Sequence, residues 1–224
     1  MLICWPSFNI SILLAFRPAA GPDPLARESL QPIADHILEA ISESARPVLG
    51  LICGSGLGSL ARLVEESVVL PYKEIPNFPV STAPGHQGQL VIGKLSGVRV
   101  VLMQGRLHVY EVEIHSGGGR YQPACTQGYP LWQCTLPIRV MKLLGVKLLV
   151  VSNAVGGLNP SYKVGDIMLV RDHINMFGLS GESPLRGPND ESFGPRFFSV
   201  NNLYDARWRE VAVEAAERVG GRPI

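Results

Sequence analysis

The run Val48–Gly58, VLGLICGSGLG, passes abruptly from apolar residues of strand length to glycines set around one serine. A buried strand that feeds a glycine turn and then a helix leaves several backbone N–H groups pointing at one spot, and such a spot attracts anions. Gly54, Gly56 and Gly58 allow a close approach that a Cβ would obstruct, and Ser55 places a hydroxyl inside the turn. The same pattern also describes a strand-to-helix turn that holds no ligand. A dinucleotide fingerprint does not fit, because Ser59 stands where its last glycine belongs and Glu74 lies in the proline-punctuated YKEIPNFP. No Gly-Lys-Ser/Thr follows, so the Walker pattern fails too.

Along the rest of the chain, helix and strand periods alternate. Leu30, Ile33, Ile37, Leu38 and Ile41 recur at helical spacing, which predicts a helix over 26–44 that Pro47 stops. Residues 57–64 read as a short helix after the cradle and 71–84 as loop. Residues 90–94 and 98–103 read as a hairpin around Ser96-Gly97, its second strand buried. Beyond it we expect a helix over 135–144, a buried strand to Ser152, a strand over 164–171, an ordered loop over 178–193 and a helix over 202–219. Three buried runs, each ending in a glycine-bearing turn, predict an α/β sheet whose ligand site gathers strand ends.

Two histidine-bearing segments belong to that site. His86 stands among glycines and small polar residues in STAPGHQG, where an imidazole has little to pack against. In 104–111 Arg106, His108 and Tyr110 alternate, so an extended backbone would place all three side chains on one face. Arg106 offers a fork of donors suited to two phosphate oxygens and His108 adds another. A charged strand end solvated by water has the same alternation.

Charge and cysteine content narrow the partners. Twenty basic against 19 acidic side chains leave a net charge of +1, and no basic patch or aromatic-basic interleaving points to nucleic acid or an acidic membrane. Cys4, Cys53, Cys125 and Cys134 lack the paired short spacing of a zinc site or disulfide framework, so no metal and a reducing, cytoplasmic setting are expected. At 224 residues the chain suits one domain, read as 25–224, behind a leader over 1–24. The leader's apolar part, MLICWPSFNISILLAF, has no basic start and is short for a bilayer span.

Seven strings in order give the chain a specific resemblance to the trimeric purine nucleoside phosphorylases: ICGSGLG (52–58), IPNFPVSTAPGHQGQLVIG (75–93), MQGRLHVYE (103–111), GYPLW (128–132), VVSNAVGGLNP (150–160), VGDIMLVRDHIN (164–175) and PLRGPNDESFG (184–194). The resemblance implies a phosphorylase/hydrolase-like three-layer α/β fold with a mixed central sheet. It implies pentosyl transfer from a purine ribo- or deoxyribonucleoside to inorganic phosphate, which is a substrate, with no cofactor. By the same resemblance Ser55, Arg106, His108 and the Ala154 N–H bind phosphate. His86 stands beside the phosphate and the sugar's 5′ end, and Tyr110 contacts the ribose. Phe193 reaches a neighbouring subunit's sugar pocket, so a homotrimer is expected.

The chain departs from the family twice. Residues 112–127, VEIHSGGGRYQPACTQ, interrupt a stretch that is continuous in the family. Valine codons begin GT and glutamine can be CAG, so the edges of this block fit a retained intron. The family also continues by about a further quarter of its length, which carries the purine-binding residues. We therefore expect weak or undetectable phosphorolysis from the chain as written. The nearest enzymatic rival is a 5′-methylthioadenosine phosphorylase, and the rival of another class is a non-catalytic chain that joins full-length subunits.

Overall fold

A computed structural model of the chain describes residues 23–54, 56–81, 86–109 and 129–220, with Phe177 described by its backbone alone. The expected leader up to residue 22, Ser55, Tyr110 and the interruption at 112–127 lie outside the described residues.

Helix α1 (Arg27–Glu39) buries the apolar stripe Leu30, Ile33, Ala34 and Ile37. It ends earlier than expected, and a 3-10 turn, Glu43–Ala45, follows. The hydroxyls of Ser42 and Ser44 lie 3.0 Å apart there, the kind of local bonding that competes with helix. Strand β1 (Leu49–Cys53) leads into the cradle, and the segment after it is a 3-10 turn, Gly58–Leu63, rather than the expected helix. Next come β2 (Glu65–Pro71), β3 (Gln89–Leu95) and β4 (Val98–Gln104). Helix α2 (Leu131–Leu144) begins four residues before the expected start, directly after Pro130, and stops at Gly145. Strand β5 (Leu148–Val151), α3 (Met176–Leu179) and α4 (Ala206–Arg218) complete the chain.

The strands form one sheet in the order β2-β3-β4-β1-β5. β1 is parallel to β4 and to β5, while β3 is antiparallel to β4 and to β2. The sheet is therefore mixed, as the resemblance implies.

Alternation along the central strands sends side chains to two cores. Ile52, Leu90, Ile92, Val101 and Met103 face α1 and α2. Leu51, Cys53, Val91, Val100 and Leu102 face the opposite side, where Val64, Leu60 and Ala61 pack on them. These are the three layers: helices, sheet, and the turn that follows the cradle. Each fully buried Val, Leu or Ile contributes about 1.5–3 kcal/mol, which is why β3 and β4 anchor the fold.

Four expectations need correction. β2 falls where no strand was expected, because its apolar part is short, Val68 to Leu70, and two glutamates open it. β5 was expected to be buried, yet Val150 and Val151 are about half exposed, because β1 is its sole strand neighbour among the described residues. Residues 164–171 form no strand, and Ile167 is 77% exposed. Without an adjacent ladder, an apolar run has nothing to pair with. Finally, 106–109 is not an extended strand, since β4 stops at Gln104 and Gly105 turns the backbone with φ 108°.

Candidate functional site

Strand direction decides where the loops meet. Because β1, β4 and β5 run the same way, their carboxyl ends, Cys53, Gln104 and Val151, lie along one rim of the sheet. β3 runs the opposite way, so its first residue, Gln89, pairs with Gln104 on that rim. The connections that carry the cradle glycines, His86, Arg106 and Ala154 are thereby brought to one edge.

Hydrogen bonds tie these connections together. The Gly88 N–H donates to the Gln104 carbonyl at 3.0 Å, and the Tyr72 hydroxyl donates to the Gly105 carbonyl at 2.6 Å. Gln104 donates from Nε2 to the Gly58 carbonyl at 2.7 Å, while its Oε1 accepts from Gln89 at 2.7 Å. The Gly54 N–H donates to Ser152 Oγ at 3.0 Å, and the Arg106 guanidinium donates to the Ser152 carbonyl. One cradle N–H is thus spent on closing the loop instead of facing an anion.

Two glycines are demanded by close approach. A Cβ on Gly54 would meet the Ser152 carbonyl oxygen at 2.5 Å and Asn153 Cα at 2.8 Å. A Cβ on Gly105 would meet His86 Cβ at 3.0 Å, at a φ that L residues rarely adopt.

His86 and His108 come together as stacked rings, centroids 5.2 Å apart and planes inclined by 28°. His86 Nδ1 lies 3.1 Å from the Arg106 carbonyl and 3.2 Å from Ser81 Oγ. A carbonyl only accepts, so this contact assigns the proton to Nδ1 and aims Nε2 elsewhere, available to a ligand. Arg106 therefore acts through both ends, its backbone orienting His86 and its side chain joining the exits of β4 and β5.

Beside these residues lies a cleft of about 250 Å³, lined by Gly54, Gly56, Arg62, His86 and Gln104 among others. That is room for an oxyanion, and it falls below the ~300–1,000 Å³ typical of pockets that enclose a drug-sized ligand. A wider depression of about 370 Å³ lies along α4, between Leu169 and Val213. Its charged lining residues, Arg209, Glu210 and Glu214, are mixed in sign, and none of the residues singled out from the sequence lines it. Cys53 forms part of the cleft wall; burial pushes its thiol pKa up while Arg106 pulls it down. The net shift is upward, which keeps the sulfur protonated and unreactive at neutral pH. Among the described residues no group of three or more His, Cys, Asp or Glu side chains is placed to hold a metal ion.

Of the other residues expected at the site, Ser55 and Tyr110 lie outside the described residues. Ala154 is exposed two residues past Ser152. Phe193 is apart from the cleft, half-buried against the helix-side core with the Arg139 guanidinium 4.9 Å from its ring centre. The loop before it is pinned to α1 by Asp190, whose carboxylate accepts from the Arg27 N–H at 2.6 Å. That bond, with help from Ser192, lowers the Asp190 pKa to about 2.

Sequence reasoning missed Ser81, Ser152 and Gln104, which brace the rim through hydrogen bonds, Gln104 lining the cleft as well. Ser152 and Gln104 each sit at the exit of an apolar run, a signal that was present in the sequence. Ser81 carries no such mark.

Residues 48–224 match the sequence model of the phosphorylase superfamily. The chain is 48% identical to purine nucleoside phosphorylase of Anopheles gambiae over 86% of its own length and 50% of the relative's. It is 51% identical to the Bos taurus purine nucleoside phosphorylase over 78% of its length and 55% of that protein's. A crystal structure of schistosoma purine nucleoside phosphorylase with hypoxanthine superposes with a TM-score of 0.76 at 45% identity, covering 89% of this chain and 64% of the other. The chain thus spans about half the length of the curated relatives it matches. Among the described residues no helix is long and apolar enough to cross a membrane.

Proposed function

The chain belongs to the phosphorylase superfamily, and on that premise we propose that its cleft is the phosphate half of a purine nucleoside phosphorylase site, in a cytoplasmic enzyme of purine salvage. The reaction is phosphorolysis of purine ribo- or deoxyribonucleosides. A phosphate oxygen bonds to C1′ as the C1′–N bond breaks, and the electron pair leaves with the purine, which takes up a proton. The products are free base and pentose 1-phosphate. We read residues 25–224 as one domain of this protein.

One observation supports the reading: the cradle glycines and His86 line one small cleft at the sheet rim, with His108 stacked on His86 and the Arg106 guanidinium bonded to the Ser152 carbonyl behind Gly54. The sugar passes through a cationic, oxocarbenium-like state, so a phosphate held against it both attacks and stabilises. Holding that anion in line supplies several kcal/mol without a metal or organic cofactor. In this proposal Ser55, Arg106, His108 and the Ala154 N–H hold phosphate, and His86 Nε2 reaches toward the phosphate and the sugar's 5′ end. Tyr110 touches the ribose. Phe193 serves a neighbouring subunit in a homotrimer, which requires its turn to leave Arg139.

The test is phosphate binding to the purified chain against Arg106→Ala. Measurable affinity that disappears in the variant supports the half-site, and equal affinity in both sinks it. Inosine, guanosine and methylthioadenosine assayed side by side then separate the two nucleoside classes. We expect weak turnover or none, and an ordinary enzymatic rate on inosine would refute that expectation.

A second reading is that the chain is non-catalytic and joins intact subunits. The exposed edge of β5 and the exposed Val155, Leu158 and Ile167 favour it. Co-purification with an intact relative, together with no turnover alone, would select it.

A further inference from the structure

We propose that Arg62 is a second guanidinium of the anion site, an arm that reaches over the mouth of the cleft to the outer oxygens of bound phosphate. The proposal rests on the phosphate reading of the cleft given above. Arg62 was not among the residues assigned to the site by sequence or resemblance.

Two guanidiniums approach this site in different ways. Arg106 is fixed behind the cradle, outside the residues that line the cleft, donating to the Ser152 carbonyl, and its terminal nitrogen would lie 3.0 Å from a Cβ built on Gly54. Its field reaches the Cys53 thiol behind the cradle. Arg62 belongs to the 3-10 turn that directly follows the cradle glycines, and its side chain is among those that line the cleft. It is exposed, and no hydrogen bond or ion pair to another described residue holds it. The carboxylate of Glu66, four residues further along the chain, is engaged with Lys94 at 2.8 Å.

The rest of the lining sharpens the contrast. Among the described residues no aspartate or glutamate lines the cleft, so a cation there meets glycine backbone, two glutamines, a serine, a cysteine and an imidazole. A planar fork can take two oxygens of a tetrahedral anion at once. Arg106 stands behind Gly54, and the open side of a bound phosphate is left to Arg62. An unengaged cation over an acid-free concavity also concentrates anions at its mouth, an effect that salt screens. Arg62 is thus the unengaged member of the pair and Arg106 the preorganised one.

The test titrates inorganic phosphate into the full chain at low and high ionic strength, on the order of 25 and 300 mM salt. Arg62→Gln is expected to weaken binding about tenfold at low salt and by a smaller factor at high salt. Arg62→Lys should keep the salt dependence while losing part of the affinity, because an ammonium is a point charge without the fork. Thermal melts of both variants should coincide with that of the parent, since the side chain is exposed. If Arg62→Gln binds phosphate like the parent at both salts while Arg106→Ala does not bind, the role of Arg62 is overturned and the phosphate reading stands. If the parent itself binds no phosphate, the phosphate reading fails and this proposal fails with it.

Discussion

Val100-Val101-Leu102-Met103 and Ile167-Met168-Leu169-Val170 are two four-residue apolar runs of nearly the same composition. The first is the middle of β4, with every residue 2% exposed or less. The second forms no strand, with Ile167 77% and Met168 49% exposed. The difference lies in the neighbours. β4 has β3 on one side and β1 on the other, whereas the described sheet ends at β5 and offers 167–170 no ladder. Hydrophobicity favours burial, but a strand also needs partners for its N–H and carbonyl groups.

The widest gap between the two runs should appear on truncation. Leu102→Ala is expected to cost about 2–5 kcal/mol in denaturant melts, whereas Ile167→Ala should stay within about 0.5 kcal/mol. Equal losses would mean that the two runs are buried alike in solution.

At the junction of the two regions, Gly54→Ala drives a methyl group into the backbone of Ser152 and Asn153. We expect a loss of about 1–3 kcal/mol together with impaired phosphate binding. A variant that keeps both would show that the exit of β5 yields without consequence. Ser152→Ala tests the same junction more gently, because it removes a single hydroxyl, the acceptor for the Gly54 N–H and a donor to the Ile52 carbonyl at 3.3 Å. That change should cost about 1 kcal/mol and expose the Gly54 amide to faster hydrogen exchange.

The smallest effect is local and depends on pH. The Asp190 pKa is lowered to about 2 by the Arg27 N–H and Ser192, so its folded value lies below the ordinary 3.8. The clip it forms is therefore complete above about pH 4 and is lost as pH falls through about 2. Limited proteolysis with an acid-active protease should find the loop before Phe193 more open at the low end. Asp190→Asn should open it already at neutral pH, and unchanged cleavage across that range would count against the clip.

Several parts of this arrangement were legible without coordinates. The apolar spacing of α1, the hairpin around Ser96-Gly97 and the strand that ends at Cys53 all appear where their periods place them. His86 was singled out because an imidazole among glycines and small polar residues has little to pack against, and His108 by its alternation with Arg106; the structure stacks the two rings. Arg106 was singled out in the sequence, but its bond to the Ser152 carbonyl was not foreseen. Its extended-strand geometry was inferred from alternation, and that rule ceases to apply at Gly105.

Residue order specified the local matters here: which segments have an apolar face, which turns need glycine, and which polar side chains stand at strand ends. These follow from backbone sterics and side-chain period, which act over a few residues. Tertiary pairing decided the rest. It set the parallel direction that collects Cys53, Gln104 and Val151 on one rim, left β5 exposed, and brought Arg62 to the lining of a cleft to which no motif had assigned it. Those outcomes depend on contacts between residues far apart in the chain, and a period read along the sequence carries no record of such neighbours.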